Sequence, residues 1–160
     1  MDEREFCVAR RKAERKAFVN VLKAIPQGKQ GHKPDPKARS AGELAWVIAA
    51  EETALLALLE NGSVTWKETP PPANVADIVA AYERDADAVT AKIAKLDAAG
   101  WQKPGKFLMD GGGAWEDTIA NMVWGFLFDA IHHRGQLSSY LRPMGAKVPS
   151  IYGPSADENG

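Results

Sequence analysis

Hydrophobic positions in this chain recur mostly at helical spacing, in long stretches separated by short runs rich in proline and glycine. Over residues 3–25, Phe6, Ala9, Ala13, Phe18, Val21 and Leu22 fall on one side, the repeat of an amphipathic helix. Arg10, Arg11, Lys12, Arg15 and Lys16 make up a basic opposite face, expected to be solvated. Pro26 stops this helix, and residues 27–39, rich in Gly, Pro and Lys, read as a loop with His32 exposed in it. Ser40-Ala41-Gly42-Glu43 then has the form of a capping box. The second helix runs to about Asn61, where Gly62 supplies the stop. Its apolar stripe is Leu44, Val47, Ile48, Leu55, Leu58 and Leu59.

Asn74 caps a third predicted helix, which runs to about Ala99 with Gly100 as its stop. Ile78, Val79, Tyr82, Val89, Ile93 and Leu96 form its apolar side, and residues 83–87 are expected to be mostly solvated. Residues 101–113 read as irregular, with a short extended piece at 106–109. Gly111-Gly112-Gly113 lacks the Gly-Lys-Ser/Thr ending of a phosphate loop and reads as a turn. A fourth helix starts between Ala114 and Glu116 and ends before Pro143, with a wide apolar face from Ile119 to Leu141. Residues 145–160 carry Pro149 and Pro154 and form an irregular C-terminal tail, anchored by Val148, Ile151 and Tyr152. This pattern predicts an all-α four-helix bundle, one domain over residues 1–160.

Composition narrows the function classes. The 160 residues suit a single domain, at 45% hydrophobic and 26% charged. A formal net charge of -1 provides no global field for nucleic acid or an anionic membrane. The one cysteine, Cys7, excludes an internal disulfide and fits a reducing compartment. It reads as a small buried hydrophobe. The charged N-terminus has no secretory core, and no apolar run approaches the ~18 residues of a membrane span. The expectation is a soluble cytoplasmic protein.

One row of the fourth helix does not fit a plain core. Steps of three and four run through Ile119, Met122, Phe126, Asp129, His133, Gln136 and Tyr140. Asp129 and His133 are one turn apart on a single face, while His132 points about a quarter turn away. Glu51 interrupts the apolar stripe of the second helix, and a buried carboxylate needs a partner. Two readings follow. Glu51, Asp129 and His133 hold a divalent metal between the helices, or they form a neutralised polar network with Arg134 or a lysine as cation. Arg134 is a candidate for binding a substrate carboxylate or for a structural ion pair with Glu43, Asp129 or a tail acid. Gln136 and Tyr140 are candidates to orient a ligand, with core packing as the alternative. Trp46, Trp66, Trp101, Trp115 and Trp124 line a pocket or pack helix ends, and Gly135 is expected where two backbones approach closely.

The stretch FDAIHHRGQLSSYLRPMGAKVPSIYGPSADE, residues 128–158, resembles the C-terminal part of the DinB family, and ELAWVIAAEE, residues 43–52, resembles its second helix. The resemblance implies a four-helix bundle, often dimeric, with a metal between helices. Better-known members are thiol-dependent transferases and a mycothiol-dependent isomerase; many others have no established reaction. A complete family site uses three histidines, one in a second-helix pattern like LAWHIA and two in a last-helix pattern like HxxxHRGQ. Here His133 matches the last, Asp129 stands one turn before it, and Val47 occupies the second-helix position. Glu51, one turn after Val47, offers a substitute oxygen. Such a set is harder than three imidazoles and favours manganese, iron or zinc over nickel.

The resemblance therefore implies a divalent-metal-dependent, thiol-linked transferase or isomerase with an altered site, a homodimer taking a small-molecule thiol or substrate. The alternative is a non-catalytic bundle that keeps the polar cluster for structure, dimerisation or small-ligand binding. DNA binding has no support in the balanced charge, which leaves no basic recognition helix.

Overall fold

A computed structural model describes residues 1–159. Its elements are α1 (Glu3–Lys23), α2 (Ala41–Asn61), β1 (Ser63–Trp66), α3 (Val75–Ala94), α4 (Ala98–Gln102), β2 (Pro104–Met109), β3 (Ala114–Thr118) and α5 (Ile119–Leu141). The helix starts follow local capping chemistry. Asp2 caps α1 and Ser40 caps α2, each in a reciprocal box with the glutamate three residues on. Gly62 closes α2 in the left-handed region at φ 73, a conformation that suits a residue without Cβ. Asn74 sits at the N-cap of α3, but its side chain makes no capping bond. Gln27 does that work instead, its Oε1 accepting from the Val75 amide at 3.0 Å.

The four long helices pack in a closed circuit: α1 on α3, α3 on α2, α2 on α5 and α5 on α1. Phe18, Leu22, Leu44, Ile48, Ile78, Leu137 and Leu141 fill one end of the interior. Leu55, Leu58, Val89, Ile93, Trp101, Met122 and Val123 fill the other. Each fully buried aliphatic side chain contributes about 1.5–3 kcal/mol.

The all-α expectation is corrected by a three-stranded sheet of order β1-β2-β3. β1 runs parallel to β2, with Val64 opposite Phe107 and Trp66 opposite Met109. β3 runs antiparallel to β2, with Trp115 opposite Phe107. Only the piece at 106–109 was expected to be extended. The fourth helix begins at Ile119, not between Ala114 and Glu116, because residues 114–118 pair with β2, Thr118 lying opposite Pro104, and the Thr118 side chain then caps α5. The hairpin turns through Gly111, Gly112 and Gly113, all at φ between 96 and 107, where side chains with a Cβ are strained. Gly105 lets the sheet press onto α5: a Cβ there would lie 2.8 Å from Ile119 Cδ1 and 2.9 Å from Met122 Sδ.

Two further expectations change. α3 ends at Ala94, and Asp97 opens the short α4 by accepting from the Gly100 amide, so Gly100 lies inside a helix. The basic face of α1 is only partly solvated. Arg11 is buried in an ion pair with Glu52, and Glu14 is buried beside Arg134. In α3, Asp85 is also buried, accepting from Thr53 and Arg84. Among the described residues, no helix is long and apolar enough to cross a membrane.

Candidate metal centre and its cavity

The packing of α2 on α5 brings Glu51, Asp129 and His133 together, with one ligand atom from each lying within 4.8 Å of the others. His133 Nε2 is 3.4 Å from Asp129 Oδ2 and 3.7 Å from Glu51 Oε1. On its far side, His133 Nδ1 faces Gln136 Oε1 at 3.1 Å. A carbonyl oxygen accepts, so Nδ1 carries the proton and Nε2 is turned to the two carboxylates. This second bond is what orients an imidazole used as a ligand.

The three groups differ in exposure. Glu51 is buried, His133 is partly covered and Asp129 reaches solvent. Glu51 Oε2 is buried with no hydrogen-bond partner. Burial pushes the Glu51 carboxyl up to about 10; a proton shared with Asp129 and the charges of Asp129 and Glu52 add to the rise, and Arg39 opposes it. Among the described residues, neither Glu51 nor Asp129 forms an ion pair with a lysine or arginine. Two carboxylates and a free imidazole nitrogen around an orphaned oxygen suit a divalent cation of the zinc, manganese or iron type.

The cluster opens into a cavity of about 350 Å³. Val47, Trp66, Phe107, Met109, Trp115 and Phe126 supply its apolar walls, and Arg39 is its one arginine. Strand alternation explains the sheet's share. Trp66, Phe107, Met109 and Trp115 sit on one face by register. The rings form a chain, with Trp66 to Phe107 at 6.2 Å, Phe107 to Phe126 at 5.5 Å and Phe126 to Trp115 at 6.2 Å between centroids. Gly125 makes room for the last of these, since a Cβ there would lie 2.5 Å from the Trp115 ring.

Other expected site residues lie elsewhere. Arg134 does not face the cavity. It is 1% exposed, and its guanidinium donates to Glu14 at 2.7 Å and to the Tyr152 hydroxyl at 2.5 Å, over the ring of Phe18. The expected partners Glu43, Asp129 and the tail acids are therefore replaced by Glu14 of α1. Gln136 reaches the centre only through His133. Tyr140 donates to the Arg39 carbonyl at 3.4 Å and packs on His32, which is half-buried where exposure was expected. His132 is exposed and outside the cluster. Gly135 meets nothing: a Cβ there would find open space, because that side of α5 faces solvent. Of the tryptophans, Trp66 and Trp115 line the cavity. Cys7 is buried as expected, and desolvation pushes its thiol up to about 11.

Arg39, Phe107 and Phe126 were not among the candidates read from the sequence, whereas Trp66 and Trp115 were. Alternation at Val64 and Trp66, and again at Phe107 and Met109, was the available signal.

Comparison with known proteins follows the same lines. The chain is similar over 92% of its length to a DinB-like protein from Bacillus cereus, with 18% identity, a TM-score of 0.77 and 97% of that chain covered. A DinB-like protein from Bacillus subtilis is 19% identical, with a TM-score of 0.69 over 91% of this chain and 96% of that one. A variant of the mycothiol-dependent maleylpyruvate isomerase shares the fold at 11% identity and a TM-score of 0.55, over 94% of this chain and 66% of that one. Among curated proteins none matches. The sequence profile of the DinB family matches residues 7–159, and the chain belongs to the DinB family.

Proposed function

We propose that this DinB protein is a divalent-metal-dependent enzyme of the thiol-linked transferase or isomerase type, with Glu51, Asp129 and His133 as the metal ligands. The observation that carries the reading is the buried Glu51 Oε2, left without a partner beside an imidazole nitrogen and a second carboxylate. An orphaned buried carboxylate oxygen is costly unless a ligand completes it. A divalent ion bound there supplies Lewis acidity and lowers the pKa of a coordinated thiol or water. The protein's own groups prepare for this. Gln136 holds the His133 proton on Nδ1 and leaves Nε2 to donate. Glu51 gives up its proton on binding, and the aromatic wall restricts water. The thiol-linked class is supported by the shared fold with the mycothiol-dependent isomerase.

The same reading takes the four long helices as a DinB-type bundle to which the sheet is added. It takes the protein as a cytoplasmic homodimer that binds neither nucleic acid nor membrane. The exposed apolar side chains Phe6 and Phe128 support self-association, and the net charge of -1 supports the other two statements.

A second reading has its own observation. With its carboxyl pushed up to about 10 and Val47 offering no donor atom, Glu51 can keep a proton in place of a metal, and the cluster is then a non-catalytic polar network. Elemental analysis of untagged protein separates the two. One equivalent of metal, lost in His133→Ala while the circular dichroism melt is retained, is expected. A folded protein that stays metal-free after titration with zinc and manganese overturns the metal reading.

A further inference from the structure

The cavity has apolar walls, two acids at its metal cluster and a single guanidinium, Arg39. Asp129 repels an anion and a protonated Glu51 does not attract one, so among these side chains Arg39 is the one built to hold it. The structure shows it doing so already. Arg39 Nη2 donates to Glu68 Oε1 at 2.7 Å, and both side chains are substantially exposed. An exposed pair of this kind contributes only about 0.2–1 kcal/mol, so a competing carboxylate displaces Glu68 at little cost. The arginine's backbone is held in place: its carbonyl accepts from Tyr140, and Ser40, the next residue, caps α2. A cation on a fixed backbone next to the tilted and edge-on rings of Trp66, Phe107, Phe126 and Trp115 matches a ligand with a flat apolar body and one anionic end.

We infer that Arg39 selects the ligand of this cavity, taking the carboxylate of a small aromatic acid in place of Glu68 while the aromatic wall holds its body. The inference rests on the reading of this cavity as the working site, but it does not require the metal. Arg39 acts as a specificity-determining residue, and Glu68 as an internal competitor for the same guanidinium.

The test uses 3-phenylpropionate and its uncharged amide as probes. Binding is read by calorimetry and by quenching of tryptophan fluorescence, with and without added zinc. The acid is expected to bind about tenfold tighter than the amide, the equivalent of one charge-assisted hydrogen bond. Arg39→Gln removes that preference. Glu68→Gln strengthens acid binding alone, a gain that a structural role for the pair does not give. An acid that binds no tighter than the amide, a preference that survives Arg39→Gln, or weaker acid binding in Glu68→Gln overturns the inference. A folded protein that takes up no metal on titration with zinc and manganese yet keeps the preference sinks the metal reading and leaves this one standing.

Discussion

Glu14 and Glu51 are buried to nearly the same degree, at 6% and 7% exposed, yet the fold treats them in opposite ways. Glu14 Oε2 accepts from Arg134 at 2.7 Å and from the Tyr152 hydroxyl at 3.0 Å, and its Oε1 lies 3.5 Å from Arg10. Its charge is neutralised and its oxygens are occupied. Glu51 has an imidazole at 3.7 Å, a second acid beside it and one oxygen with no partner. One cluster is closed by its own side chains; the other is left open toward a cavity. Buried polar groups left short of partners are where a fold gives up stability for something other than stability. The comparison also reassigns the two halves of the DinB-like motif. Arg134 and the tail tyrosine form a structural clasp, while His133 beside them serves the open centre.

The clasp also explains the tail. Asp157 accepts from Arg142 and from the Val148 amide, and Glu158 accepts from the Ser150 amide. These bonds fold residues 142–158 back, so that the Tyr152 hydroxyl meets Arg134 although its ring is mostly exposed.

Three substitutions break or sharpen the contrast. The largest effect is expected for Arg134→Ala, which leaves Glu14 buried without its main cation. A loss of about 3–5 kcal/mol in urea unfolding is expected, with metal per folded molecule unchanged. A loss under about 1 kcal/mol would show that the clasp is not a closed ion pair.

Glu51→Gln should act with the opposite sign. In the metal-free protein the unfolded carboxyl ionises near 4.5, while the folded one keeps its proton up to about 10. Between those values the folded state holds more protons, so stability falls as pH rises across the window. Glu51→Gln removes that decline and raises stability at neutral pH by about 0.5–2 kcal/mol, a gain of the size found when a functional group is relieved of strain. Unfolding curves from pH 5 to 9 check it; an undiminished slope in the variant would place the proton elsewhere. The metal equivalent should be lost in the same protein.

Tyr152→Phe is expected to give the smallest change, a loss of about 0.5–1.5 kcal/mol, because it deletes one hydroxyl from a pair that keeps its charges. A thermal melt compared with Arg134→Ala ranks the two contributions to the clasp.

Much of this was legible along the chain. The Ser40–Glu43 capping box, the Gly62 stop and the Asp129–His133 spacing are local features, set by residues within a turn of one another. So is the misplaced acid at position 51, visible because one carboxylate interrupts a stripe of leucine, valine and isoleucine. The sheet was harder to see. β1 pairs with a strand some forty residues further on, and four to six residues without a full alternation carry too little period to announce it. The start of α5 was misjudged for the same reason, since Ala114–Thr118 has a helix-compatible composition and becomes a strand only when β2 lies beside it.

The amino-acid order alone determined the long helices, both ends of α2 and the two rows on which the candidate metal ligands stand, because helical period and capping act over a few residues. Tertiary structure decided which cation each buried acid received. Arg134 faces one side of α5 and meets α1, whereas His133, the preceding residue, faces α2. It also decided that Arg39 and an aromatic sheet would enclose the open centre. Those outcomes depend on the mutual packing of elements far apart in the chain, and no local pattern encodes a partner that only packing brings near.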